Sequence, residues 1–102
     1  MATHFMSKTV NIPSGTGRRS TQAVVEFPAT VRRADVALNG FKLDFAGAGA
    51  VQRPIGVIEV DVDFVKVSGR TVIFDVQAQY ADANFDDPYT GYVTVLVIAD
   101  LV

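Results

Sequence analysis

Glu59, Asp61 and Asp63 stand at every second position of one run, which puts three carboxylates about 7 Å apart on one face if that run is a strand. Paired carboxyl groups at such a separation are the apparatus of a glycosidase. That chemistry also needs one carboxyl held in an apolar pocket above an extended cleft, and 102 residues with no Trp provide little material for one. The reading expected here is a solvated acidic face, or one paired with a neighbouring subunit.

Asp82-x-Asn84-x-Asp86 repeats the opening oxygen ligands of a calcium loop. Asp87 occupies the position of that loop's glycine and Val93 that of its bidentate glutamate, which excludes an EF-hand. A turn whose Asp and Asn side chains cap their own backbone is expected, with a looser calcium site as the alternative. Ser14-Gly15-Thr16-Gly17-Arg18-Arg19 has the look of a phosphate cradle but lacks the Lys-Ser/Thr ending and a following helix, so it reads as a connector.

His4 is the only histidine and cysteine is absent, which excludes a thiolate metal site, a disulfide framework and a His-ligated zinc within one chain. A Ser-His-Asp triad would have to recruit His4 itself, and no Gly-x-Ser-x-Gly turn is present. We therefore expect a non-enzymatic protein with no catalytic residues, no resident metal and no cofactor. Arg18-Arg19 and Arg32-Arg33, with Phe27 or Phe41 nearby, could line an oligonucleotide groove. A net charge of −2 and a pI near 5.1 point instead to surface ion pairs, so no nucleic-acid partner is expected.

The elements that must hold these residues are legible in the alternation of side chains. At 49% hydrophobic and 20% charged, the chain has the composition of one globular domain, expected to span residues 1–102. The N-terminal residues lack a basic start and a long apolar run, so no secretory signal is expected and the compartment stays open. The most apolar stretch, Tyr92 to Val102, is about half the length of a membrane-crossing helix, so no membrane insertion is expected. Valine and aromatic residues dominate, and no window carries apolar residues at helical spacing over three turns.

Strands are predicted at His4–Ile12, Thr21–Phe27, Ala34–Phe45, Ile55–Val67, Thr71–Ala81 and Gly91–Leu101. In the third, apolar residues change phase between Leu38 and Phe41, which predicts a β-bulge at Asn39-Gly40 with Gly40 supplying an unusual φ. Ser68-Gly69-Arg70 predicts a hairpin between the fourth and fifth strands. Asp82 to Gly91 is expected to be a polar loop. The last strand is apolar on both faces, so both should be covered, by its own domain or by another subunit. With no helix to cover a face, the strands must pair as two sheets: an all-β, six-stranded antiparallel β-sandwich, expected to be oligomeric.

From about Val31 onward, the kinked strand, the Ile55–Val67 run, the Val67-Ser68-Gly69-Arg70-Thr71-Val72 hairpin and the terminal Tyr92-Val93-Thr94-Val95-Leu96-Val97-Ile98-Ala99 strand resemble the H-type lectin family. The resemblance implies a six-stranded sandwich that assembles as a trimer or hexamer and binds carbohydrate, of the N-acetylgalactosamine type in that family, at subunit boundaries. The family's sugar-contacting arginine would fall at Asp63 and its Trp-His pair near Gln79-Tyr80, so the family's own site is not reproduced. A different polar rim is expected, built from Asp63, Gln79, Tyr80, Asp82 and Asn84, with Tyr80 as the aromatic platform. The alternative for Tyr80 is inward packing with Phe74 and Val76, whose strand face it shares. Two roles follow: a lectin-like carbohydrate-binding module, or a structural subunit of a phage-tail-like or surface particle whose apolar strands make subunit contacts. A lectin should hold Gln79, Tyr80 and Asp82 exposed and convergent; a scaffold can bury or scatter them.

Overall fold

A computed structural model describes residues 2–45, 55–82 and 88–102 of the chain. Six strands follow in order: β1 (Ala2–Gly15), β2 (Arg19–Glu26), β3 (Val31–Phe45), β4 (Ile55–Ser68), β5 (Thr71–Asp82) and β6 (Tyr89–Leu101). They form two three-stranded antiparallel sheets, β1-β6-β3 and β2-β5-β4. The all-β, six-stranded sandwich expected from the alternation of side chains is what forms. Its strands are long, giving extents of 51 × 17 × 16 Å.

The core lies between the central strands. From β5 come Val72, Phe74, Val76 and Ala78, and from β6 Tyr89, Val93, Val95, Val97 and Ala99, all without exposed surface. Successive side chains of a strand point to opposite faces, so each central strand gives its alternate apolar residues to this layer. The flanking strands complete it with Val10 and Ile12 from β1, Val25 from β2 and Val31 from β3, and Phe27 just beyond β2 closes one end.

The register shifts between Leu38 and Gly40, with Asn39 as the extra residue, so the phase change in β3 is a bulge, as its sequence predicts. Gly40 does not supply an unusual φ. Among the described glycines only Gly17 and Gly69 have positive φ, and an extra residue suffices to turn the strand's face without left-handed backbone. Two further bulges escape the alternation pattern: Arg32 is the extra residue opposite β6, and Val65 the extra residue opposite β5. The predicted hairpin is a two-residue connection, Gly69-Arg70, with Ser68 paired to Thr71 and Gly69 at φ 60. Its tip is tied to the β2–β3 link by Phe27 N–H to Arg70 O at 2.8 Å and Val31 N–H to Gly69 O at 2.9 Å.

The polar loop expected over Asp82–Gly91 ends earlier than its composition suggests, because β6 begins at Tyr89. Tyr89 is an apolar ring at an inward register position, and its hydroxyl finds two carbonyls, so a residue that reads as loop is wholly buried. Residues 46–54 and 83–87 lie outside the described residues, and with them the small-residue loop and most of the acidic turn.

Candidate functional site

The carboxylates singled out by their spacing share the outer face of the β2-β5-β4 sheet. Register pairs Glu59 with Gln79, Asp61 with Gln77 and Asp63 with Asp75, giving a ladder of acids and amides across β4 and β5. At one end the Arg18 guanidinium bridges it, with Nε 2.6 Å from Glu59 Oε1 and Nη2 2.9 Å from Gln77 Oε1. At the other, Asp63 and Asp75 are directly opposed, an arrangement that like charges make unfavourable. Asp61 turns one carboxylate oxygen back onto the Val62 N–H, 2.9 Å away. The ladder is a row of hydrogen-bond acceptors with no enclosing wall, so it lacks the apolar pocket that would raise one carboxyl's pKa for acid catalysis.

Gln79 belongs to this ladder and Tyr80 does not. The two are adjacent in β5, so their side chains leave opposite faces of the sheet. Tyr80 packs against the core, stacked on Phe45 with ring centroids 4.5 Å apart and edge-on to Tyr89 at 6.5 Å. The inward alternative for Tyr80 is the one the structure adopts. Asp63 and Gln79 therefore share a face without an aromatic platform between them, while the side chain of Asp82 and all of Asn84 lie outside the described residues. Among the described residues no group of three or more His, Cys, Asp or Glu could hold a metal ion, and no helix is long and apolar enough to cross a membrane.

The arginines read as a basic stripe are tied to local partners. Arg18 is on the acid ladder, Arg19 donates to the Pro13 carbonyl, Arg33 sits 3.6 Å from Asp100, and Arg70 lies 2.7 Å from Glu26. His4 faces inward at the position opposite Ala99, with its Nδ1 buried and without a hydrogen-bond partner.

The most distinctive surface is one that no motif marked. β3 lies against β4 along one long side of the sandwich, and β1 against β2 along the other. Both β3 and β4 are edge strands, so their inward residues have a neighbour on one side only. Leu38 and Phe41 of β3 and Ile58 and Phe64 of β4 point into the space between the sheets, yet each stays 40–48% exposed. Together they leave roughly 300 Å² of apolar side chain uncovered, the size of patch that on a monomer is often functional. Alternation identifies these residues as inward. Only the pairing order, which joins residues far apart in sequence, reveals that their side of the sandwich is open.

Set against family models, curated proteins and solved structures, the chain matches none.

Proposed function

We propose that the chain is a non-enzymatic structural subunit that works as a homo-oligomer of three or six copies, assembled through the open β3/β4 side. The observation that carries this reading is the set of four inward-register side chains, Leu38, Phe41, Ile58 and Phe64, left half-exposed on adjoining edge strands. Covering roughly 300 Å² at 25 cal/mol per Å² is worth about 7 kcal/mol per copy. Association costs about 4–15 kcal/mol, so this strip has the weight of an interface core but needs a polar rim around it. The doubly apolar β6 agrees with assembly as well, since Tyr92 remains exposed on the outer face of β1-β6-β3. Sedimentation velocity of the purified chain tests the reading: a trimer or hexamer is expected, and a stable 11.0 kDa monomer at high concentration would refute it.

Carbohydrate recognition is the second reading, favoured by the acceptor ladder of Glu59, Asp61, Asp63, Gln77 and Gln79, because carboxylates and amides are the groups that hold sugar hydroxyls. A single ladder without an aromatic platform binds weakly, so the lectin reading relies on several copies acting together. A glycan array probed with the assembled protein separates the two. Binding lost in Asp63→Ala and Gln79→Ala, with assembly intact, favours the lectin; silence across the array favours the scaffold.

A further inference from the structure

The outer face of the β1-β6-β3 sheet carries a second, chemically different site. Register places Phe5, Ile98 and Asp35 in one row across the three strands, and Thr3, Asp100 and Arg33 in the next. These residues surround an open concavity of about 380 Å³ lined by Thr3, Arg33, Asp35, Ile98 and Asp100, with Phe5 directly across from Ile98 at its margin. The volume is within the range of small-ligand sites, which combine an apolar floor with a few convergent polar groups. Ile98 is that floor. Phe5, 64% exposed, is an aromatic wall, and Asp35 stands on the opposite side.

Charge decides what such a site takes. Its lining holds two carboxylates against one guanidinium, so it carries excess negative charge and disfavours anions. Arg33 is 82% exposed and 3.6 Å from Asp100, a pair of little strength that leaves the site readily. One Asp35 oxygen accepts the Val36 N–H at 2.8 Å, which fixes the carboxylate and leaves its other oxygen for a ligand. Adjacent strands lie about 4.8 Å apart, so the way from Phe5 over Ile98 to Asp35 spans roughly 10 Å. We propose that this concavity binds the basic side chain of a partner polypeptide, a lysine laid with its alkyl stem on Phe5 and Ile98 and its ammonium on Asp35. The ring face and the carboxylate both attract the cation, and the stem covers apolar surface that is otherwise wet.

The test is an NMR titration of the isotopically labelled, assembled protein with acetyl-Gly-Lys-Gly-amide and with the same peptide carrying norleucine or glutamate in place of lysine. Amide shifts confined to the neighbourhood of Phe5, Asp35 and Ile98 are expected for the lysine peptide alone, weakening several-fold at high salt because the attraction is electrostatic. Phe5→Ala and Asp35→Asn should each weaken binding about tenfold, on the scale of one cation–π contact or one charged hydrogen bond. Asp35→Asn keeps the oxygen that caps Val36, so its loss reports charge rather than folding. Cadaverine binding more tightly than the peptide would assign the site to a free amine and overturn the polypeptide partner. Equal shifts with norleucine, shifts centred on Asp63 and Gln79, no shifts at all, or an altered oligomeric mass in Phe5→Ala would each overturn the site itself.

Discussion

The two long sides of the sandwich are built from the same kind of strand and finished in opposite ways. Along β1 and β2, a short link joins the sheets, the Arg19 guanidinium holds the Pro13 carbonyl, and the Tyr89 hydroxyl reaches Gly17 O at 2.7 Å. Lys8 occupies an inward register position opposite Val95 and stays exposed, so a charge stands where an apolar residue would continue the core. The groove on that side is lined by Lys8, Thr9, Asn11, Thr21 and Gln22. Along β3 and β4 the equivalent positions are Leu38, Phe41, Ile58 and Phe64. An inward-pointing charge on an edge strand is a known guard against association, and its absence on one side only marks that side as the one meant for contact.

The largest effect should come from abolishing the difference at β3 and β4. Phe41→Glu combined with Phe64→Glu is expected to reduce the assembly to a folded single chain of 11.0 kDa, because two carboxylates cannot be buried unpaired at an interface core. Lys8→Glu on the other side should leave the mass unchanged. If the double variant keeps the wild-type mass while circular dichroism shows native strand content, the assembly uses another surface and the contrast between the sides loses its functional meaning.

A pair of glycines sharpens the comparison in terms of stability. A Cβ on Gly91 would fall on the Lys42 carbonyl and lie 3.0 Å from the Leu43 Cα, so the β3 backbone itself would have to move. A Cβ on Gly15 meets the guanidinium of Arg19, the far end of a flexible chain. Gly91→Ala should cost about 1–3 kcal/mol or more in denaturant unfolding. Gly15→Ala should stay within about 0.5 kcal/mol. Equal losses would mean that β3 is no more tightly seated on β6 than the β1–β2 link is on its neighbours.

Tyr89 tests the polar closure of the β1/β2 side. Its hydroxyl lies 2.7 Å from Gly17 O and 2.8 Å from Ala78 O, so Tyr89→Phe leaves those carbonyls without their donor at a cost of about 1–3 kcal/mol. Burial raises the Tyr89 pKa above the ordinary 10.0, partly offset by the Arg19 charge. The folded chain thus keeps a proton that the unfolded chain releases, and this contribution is complete below pH 10 and falls as pH climbs from there through the raised folded value. Urea midpoints should drop above pH 10 in the wild type, and Tyr89→Phe should lack that component.

What the chain declares in advance is local. Alternation at Val72, Phe74, Val76 and Ala78, and at Val93, Val95 and Val97, fixes the core faces, and the phase slip between Leu38 and Phe41 reveals a bulge. What it hides depends on partners far along the chain. Tyr80 carries the pattern of an inward residue and the chemistry of a platform, and only Phe45, on another strand, decides between them. Gly91 gives no sign of the Lys42 carbonyl beside it, and Arg32 and Val65 show no phase slip of their own because a single extra residue between apolar neighbours is silent in composition. The exposure of Leu38 and Ile58 follows from strand order, which no residue spacing states.

The smallest change in stability should accompany the most informative change in behaviour. Lys8 stands opposite Val95 in an edge strand, and its alkyl stem already covers part of the groove, so Lys8→Val is expected to shift unfolding by no more than about 0.5 kcal/mol. It would nonetheless give the β1/β2 side the apolar lining that the β3/β4 side carries. A second mode of association should then appear, seen in light scattering as mass that exceeds the wild-type assembly and rises with concentration, because two unlike apolar sides join head to tail and do not close. Adding Phe41→Glu and Phe64→Glu to Lys8→Val should abolish that growth. If Lys8→Val assembles as the wild type does, the lysine is an ordinary surface residue and the guard on this side lies in the hydrogen bonds of Tyr89 and Arg19 instead.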